Sequence, residues 1–452
     1  MVEQVSGRFL VAWRGDEEIF GPDIELDQQL FAAFALDPSL ASAVRFPAQS
    51  EAYGSVEGLY QECREVFTSH LPTLTDADAD LVAAYVMSTW VSEALPSLPF
   101  LHVAAPEGQA GVISELMACL CRRGLRLQRL STRELLKLPE GLRPTVVASH
   151  PGERVAQEIA SACSAPDAYR MQDGRCVRLE ICAVLVGGEA LEGGLGLTLA
   201  PTGDYVRVGR ENADLIAAHL LPRLLRFRFL RYGAVAAAAV DVPQLSPQIR
   251  GVALWLLAAL EGAPAIQARL VSALTMQDEQ QKTERAMSIE GVVAEVLLAL
   301  VHEERQSVSN REIAELAEDL AGARRIPQAS AKRVGAIVRR FGLSPYRTRF
   351  GFAIDLQSLQ IHEIAQTVGV TAVPTSNSCD LCQCSEDRSK GEHSTRDAND
   401  DVETTKADLL KQTPINDVHD VHDVHDVRDV HKHAVIASSS GRQSAQQPES
   451  EA

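Results

Sequence analysis

Apolar residues fall at helical spacing most regularly in the stretch 288–370. Ile289, Val292, Val293, Val296, Leu297 and Leu300 form one stripe, Ile313, Leu316, Ala317 and Leu320 a second, and Val334, Ile337, Val338 and Phe341 a third. Each repeats roughly every three to four residues, the spacing of one face of an α-helix. Ser288, Ser309 and Ser330 precede the stripes, where a hydroxyl can accept from the free N–H groups of a first turn. Glu312 is predicted to complete a capping box with Ser309, and Gly342 to stop the third helix. Residues 346–349 and 352–356 read as two short strands around Gly351, and 358–368 as a closing helix.

Upstream, strand and helix patterns alternate. Residues 8–13 read as a strand, and 58–71 as a helix with Leu59, Cys63, Val66, Phe67 and Leu71 on one side. Thr75 is placed to cap a helix that carries Asp76, Asp78 and Asp80 early. Its remainder, 81–95, is apolar on every side, which predicts burial all round until Pro96 and Pro99 end it. Strands are predicted at 100–104, 145–148, 177–186 and 195–199, the first leading through a loop at 105–110 into a helix at 112–123. Residues 247–281 read as helical. The alternation predicts an α/β domain on a parallel or mixed sheet.

Helix, helix, helix, hairpin is the order of a winged helix-turn-helix. Such a unit needs a third helix that is apolar toward its core and cationic outside, so that it can enter a major groove. Once the core positions of 331–341 are removed, Lys332, Arg333, Ala336, Arg339 and Arg340 remain, and the small Ala336 permits close approach. Arg347 and Arg349 lie where a wing would touch phosphates. Between Arg305 and Phe350, ten Lys and Arg stand against four Asp and Glu, in a chain whose net charge is −18. Polyanion binding must therefore be local, and double-stranded DNA is the predicted partner. The alternative is a winged-helix protein-interaction module whose arginines form a solvated face.

Length and composition set the frame. The chain has 452 residues, 46% hydrophobic and 23% charged, enough for two or three domains of ordinary soluble character. Its longest apolar runs are about half of the ~20 residues that a membrane-crossing helix needs, so no membrane association is expected. The start of the chain has no secretory signal pattern, and nine irregularly spaced cysteines fit reduced thiols in a cytoplasm. The expected divisions are an N-terminal accessory segment (1–75), an α/β domain (76–235), a helical connection (236–287), the winged helix-turn-helix (288–371) and a tail (372–452). Residues 374–452 hold 16 acidic and 8 basic side chains and few large apolar ones, so the tail is predicted to be disordered.

The segment 98–112 has the setting of a nucleotide site: strand, glycine-bearing stretch, helix. On Leu98, Pro99, Phe100, Leu101, Val103 and Gly108 the chain resembles the P-loop ATPases of phage- and plasmid-type primase–helicase proteins. Their version runs roughly LPYLRV-x-G-x-x-G-S-G-K-T, follows an apolar helix and precedes a winged helix. The working residues depart from it. Gly111 stands in place of the lysine, Val112 in place of the magnesium-binding threonine, and Ala105 and Ala110 in place of glycines. Ser149 and His150 replace the Asp-Glu pair that ends the family's second strand, and Leu191-Glu192-Gly193-Gly194 has glycines where the family's Leu-Glu-x-Arg stretch places an arginine. The resemblance, covering about 81–370, implies a degenerate P-loop NTPase-like domain with no cofactor and no catalytic residue. Phosphoryl transfer rests on positioning and charge neutralisation worth several powers of ten in rate, so ATP hydrolysis is not expected. The implied function is a non-catalytic, DNA-associated pseudo-ATPase of mobile-element replication or maintenance. Its α/β domain would serve as a scaffold for a homo-oligomer or a protein partner; an ATPase using non-standard residues is the competing activity.

Smaller signals carry less. Cys379, Cys382, Cys384 and His393 lack the two spaced pairs of a structural zinc knuckle and read as reduced thiols and a tail histidine, so no metal is assigned. The three-residue period of His419, His422 and His425, continued at His431, reads as repeat expansion. His150 reads as a loop histidine. Arg223, Arg226, Arg228 and Arg231 alternate with apolar residues, compatible with contact to DNA or a subunit and equally with snorkelling over a core.

Overall fold

A computed structural model describes residues 1–370 apart from 6–8, 15–16, 34, 173, 188–193, 202–203, 325, 327–329 and 350. The tail with its cysteine and histidine clusters, and residues 191–193 of the Leu-Glu-Gly-Gly segment, lie outside the described residues.

The chain opens with β1 (Val2–Val5), β2 (Phe9–Arg14) and β3 (Glu17–Gly21) in an antiparallel sheet, then the hairpin β4 (Asp23–Leu26) and β5 (Gln29–Ala32). Helices α1 (Pro38–Ala43), α2 (Val56–His70) and α3 (Asp76–Trp90) follow. Thr75 caps α3 as its sequence predicts, but the helix ends at Trp90, before the proline pair, and one 3-10 turn at Ser92–Ala94 follows. Beyond its first turn α3 is buried on every side, packed by α2 and by helices from further along the chain. Tyr85 donates to the Ala183 carbonyl at 2.7 Å and Trp90 to that of Leu120 at 2.9 Å, tying α3 to the sheet and to its neighbouring helix.

The centre is a mixed α/β unit around a five-stranded parallel sheet. Its parts are β6 (Phe100–Ala104), α4 (Glu107–Leu120), β7 (Gly124–Gln128), α5 (Thr132–Leu135), β8 (Thr145–Ser149) and α6 (Glu153–Ser164). A side hairpin of β9 (Tyr169–Gln172) and β10 (Arg175–Arg178) precedes β11 (Cys182–Val186) and β12 (Leu195–Thr198). The strand expected at 177–186 is thus two strands in different sheets, parted at 179–181. Across the sheet the order is β12-β6-β11-β8-β7. Alternate side chains go to opposite faces, as the strand period requires. Leu101, Val103, Val147, Val184 and Val186 join one core, while Phe100, Val146, Ala148, Ala183 and Leu185 join another with Val155 and Ile159 of α6. Burial on both faces explains why these strands read as continuous apolar runs.

Helix α7 (Arg210–Ala237) continues past Pro222, where the sequence pattern changes. The stretch 247–281 is two helices, α8 (Pro247–Ala259) and α9 (Pro264–Ala286), parted by Gly262 at φ +87°. One hydrophobic core links Val5 of β1 to Leu274 of α9.

A second core holds Ile289 to Val370. It comprises α10 (Ile289–His302), β13 (Ser307–Ser309), α11 (Asn310–Ala323), α12 (Ala331–Arg340), β14 (Tyr346–Thr348), β15 (Gly351–Asp355) and α13 (Ser358–Val368), with a β13-β15-β14 antiparallel sheet. Ser288, Ser309 and Ser330 each accept a first-turn N–H. The capping box is half formed: the Glu312 carboxylate turns instead to Arg305, 2.7 Å away, because an ion pair outcompetes a bond to the cap. Inside this unit His302 and His362 face each other, both buried, with Nε2 atoms 3.4 Å apart. Burial, and then His362, hold the His302 pKa below its ordinary 6.5. The folded state therefore binds fewer protons than the unfolded one. This contribution to stability is complete above about pH 6.5 and is lost as pH falls through that value toward the lower folded one. Thermal unfolding should show a falling midpoint between about pH 7.5 and about pH 5.5, and a His302→Gln variant should show a flatter profile; identical profiles would refute it.

Candidate nucleic-acid interface

Helix α12 divides cleanly. Val334, Gly335, Ile337 and Val338 are buried against α10 and α11, and Lys332, Arg333, Ala336, Arg339 and Arg340 are exposed. Gly335 allows close seating: a Cβ there would come within 2.8 Å of Asn310 Nδ2 at the start of α11. Phe341 is the C-cap and Gly342 turns away at φ +77°.

Among the described residues Lys332, Arg333 and Arg339 make no ion pair, whereas Arg340 reaches the Glu290 carboxylate at 3.1 Å. Arg347 and Arg349 are exposed along the β14–β15 hairpin. The hairpin and α12 thus belong to one packed unit and present their cations to solvent.

The degenerate nucleotide residues sit differently from the expectation. Only Ala105 and Pro106 separate β6 from α4, so Gly108, Gly111 and Val112 are helical and the loop expected at 105–110 is not there. Pro106 can stand at the N-cap, Glu107, Gln109 and Ala110 favour helix, and neither glycine takes a positive φ. Ala110 N–H already bonds to the Pro106 carbonyl at 2.8 Å. The backbone here takes a helical course and does not form a glycine-rich loop that could wrap a phosphate. Gly108 makes room for Tyr205 instead, since a Cβ would lie 2.5 Å from its hydroxyl. Val112 is buried in the core, where it cannot face a magnesium ion.

Ser149 ends β8 at the same sheet edge, its Oγ 3.4 Å from that of Ser114 on α4. The structure therefore brings the two degenerate segments together, although β11 separates their strands. His150 follows at φ +49°, its N–H on the Val186 carbonyl at 2.7 Å and its ring close over Gly187. Neither residue supplies the carboxylate that would hold a cation. Five of the six described cysteines are buried, and burial raises the Cys63, Cys119 and Cys182 thiols to about 12.

The four arginines of 223–231 on α7 lie against the body of the chain, Arg228 buried and the other three partly so. Arg228 is buried between Glu3 (3.1 Å) and Glu93 (2.7 Å), Arg223 pairs with Glu62, Arg231 with Glu261, and Arg226 lies 3.6 Å from the Trp13 ring centre. They serve packing, the second of their two sequence readings. Tyr205 and Asn310 were not legible as neighbours of these segments, since nothing local marks a residue that meets a glycine across the fold.

No protein-family model matches this sequence, and no curated protein matches it. Among solved structures the chain is similar to the C-terminal region of NrS-1, at 9% identity and TM-score 0.31, covering 74% of this chain and 82% of that one. It is similar to Drosophila ORC bound to DNA at 13% identity and TM-score 0.19, covering 71% and 95%. It is also similar to Cdc6p from Pyrobaculum aerophilum at 12% identity and TM-score 0.19, covering 67% and 96%. At these values the likenesses assign no residue of this chain a role. No described helix is long and apolar enough to cross a membrane.

Proposed function

We propose that this chain is a non-catalytic DNA-associated protein. Residues 288–370 act as a winged helix-turn-helix, with α12 in the major groove and Arg347 and Arg349 of the hairpin on phosphates. The sheet domain is a P-loop-like scaffold that does not hydrolyse ATP. One observation carries the DNA reading: Lys332, Arg333 and Arg339 stand exposed and without ion-pair partners among the described residues, on a helix whose other face is anchored. In a chain of net charge −18, most arginines of the sheet domain are matched by carboxylates, and these are not. The scaffold reading is supported by the helical course of Gly108–Val112 and by Ser149 and His150 in place of carboxylates. The phage- or plasmid-type setting comes from the sequence likeness at 98–112.

Titration of labelled duplex DNA with the full chain tests the first claim. Log affinity should fall linearly with log salt, by about 0.9 per phosphate neutralised. Absence of binding at low salt would overturn it. For the second, protein incubated with ATP and magnesium should release no phosphate above buffer, and turnover abolished by Ser149→Ala would show this edge to be catalytic.

A further inference from the structure

A second cationic surface lies on the sheet domain. Strands β7 and β8 end level, Gln128 opposite Ser149. Gln128 and Ser149 are therefore about 5 Å apart at the ordinary spacing of paired strands, and Arg129 and His150 follow them directly off the sheet. Both take left-handed backbone conformations, φ 54° and 49°, uncommon for residues with side chains, and these turn each chain abruptly off the edge. Arg129 leads into α5, whose Arg133 is exposed, with exposed Lys137 just beyond it. Helix α5 packs on α6, whose first turn carries exposed Arg154.

Among the described residues Arg129, Arg133, Lys137 and Arg154 make no ion pair. Two carboxylates lie among these four cations and keep their charge, with Glu134 close enough to Lys137 to feel it. Glu134 accepts from the Ser131 N–H at 2.9 Å and hydroxyl at 2.7 Å, and Glu153 accepts from Gln157 at 3.0 Å. Elsewhere in this domain Arg122, Arg126, Arg143, Arg170 and Arg178 each meet a carboxylate. The strip thus carries four cations against Glu134 and Glu153, a net positive patch in an acidic chain. Its charges are spread over a strand end and two helices, which suits a polymer of phosphates better than one small anion.

We propose that this edge binds the phosphodiester backbone of nucleic acid, as an anchor separate from α12. It rests on the DNA reading of the C-terminal unit, and the test separates the two. The full chain is titrated with a duplex of about 12 base pairs, enough for one groove-reading helix, and with one of about 40 base pairs. Arg129→Gln, Arg133→Gln and Arg154→Gln are combined in one variant. These are exposed residues, so its circular dichroism and unfolding midpoint should match wild type. The expected result is unchanged affinity for the short duplex and an affinity for the long one lowered by about tenfold or more, with a salt slope shallower by about two to three. Equal affinity and slope on the long duplex would overturn the proposal, as would equal losses on both probes. Wild-type binding of the long duplex alone, lost in this variant and kept on Lys332→Ala/Arg333→Ala/Arg339→Ala, would overturn the α12 reading and retain this one. Binding of neither probe by wild type would overturn both.

Discussion

Changing Lys332, Arg333 and Arg339 together to alanine should lower duplex affinity by at least about a hundredfold at moderate salt. An arginine on a base edge is worth roughly 1–3 kcal/mol, and each phosphate contact removed should reduce the salt slope by about 0.9. All three side chains are exposed, so the fold should survive, and an unfolding curve would verify that. Arg340→Ala alone should matter less, because Glu290 already offsets that guanidinium. A folded triple variant that keeps both affinity and slope would remove α12 from the interface.

The largest stability effect is expected at Glu3. Its carboxylate lies buried among Arg122 (2.8 Å), Arg123 and Arg228 (3.1 Å), with Glu93 sharing Arg122 and Arg228. Burial alone would push the Glu3 pKa up, but the three guanidiniums outweigh it and hold it at about 2, against an ordinary 4.5. Glu93 is likewise held well below its ordinary value, burial again being outweighed by Arg122 and Arg228. Glu3→Gln leaves buried positive charge uncompensated, a change that typically costs about 3–5 kcal/mol. Urea unfolding would measure it, and a loss under about 1 kcal/mol would refute the argument. A lowered carboxylate pKa contributes stability above the unfolded value that is lost as pH falls through the folded one. The wild type should therefore lose this term between about 4.5 and about 2, and the variant should not. That window lies below the one set by His302.

What could be read from the sequence divides along physical lines. The helices and hairpin of 288–370 were legible because their stripes, serine caps and Gly342 are local signals, whereas β13 was missed, since its three residues owe their strand form to pairing with distant β15. The exposure of Lys332, Arg333 and Arg339 followed from the same periodicity. The Glu312 capping box was half wrong because Arg305, seven residues upstream, competes for its carboxylate. The segment 105–112 misled for a different reason. Two glycines read as a loop by composition, yet Pro106 and Glu107 suffice to start a helix, and Tyr205 explains Gly108 from far along the chain. The strand order and the pairing of Gln128 with Ser149, which sets Arg129 and His150 at one sheet end, depend on register between distant segments, which no local pattern encodes.

The seam between the two cores has a consequence of its own. Gly369, at φ +86°, lies so close to the Lys282 carbonyl of α9 that a Cβ would collide with it, and Gly291 is pressed in the same way on the Ala286 carbonyl. Arg285 also donates to the Thr367 carbonyl at 3.1 Å. The terminal unit is thus bolted to the body rather than leashed to it. If α12 holds DNA as proposed, load on it would pass through these contacts into α9 and the helices packed with it.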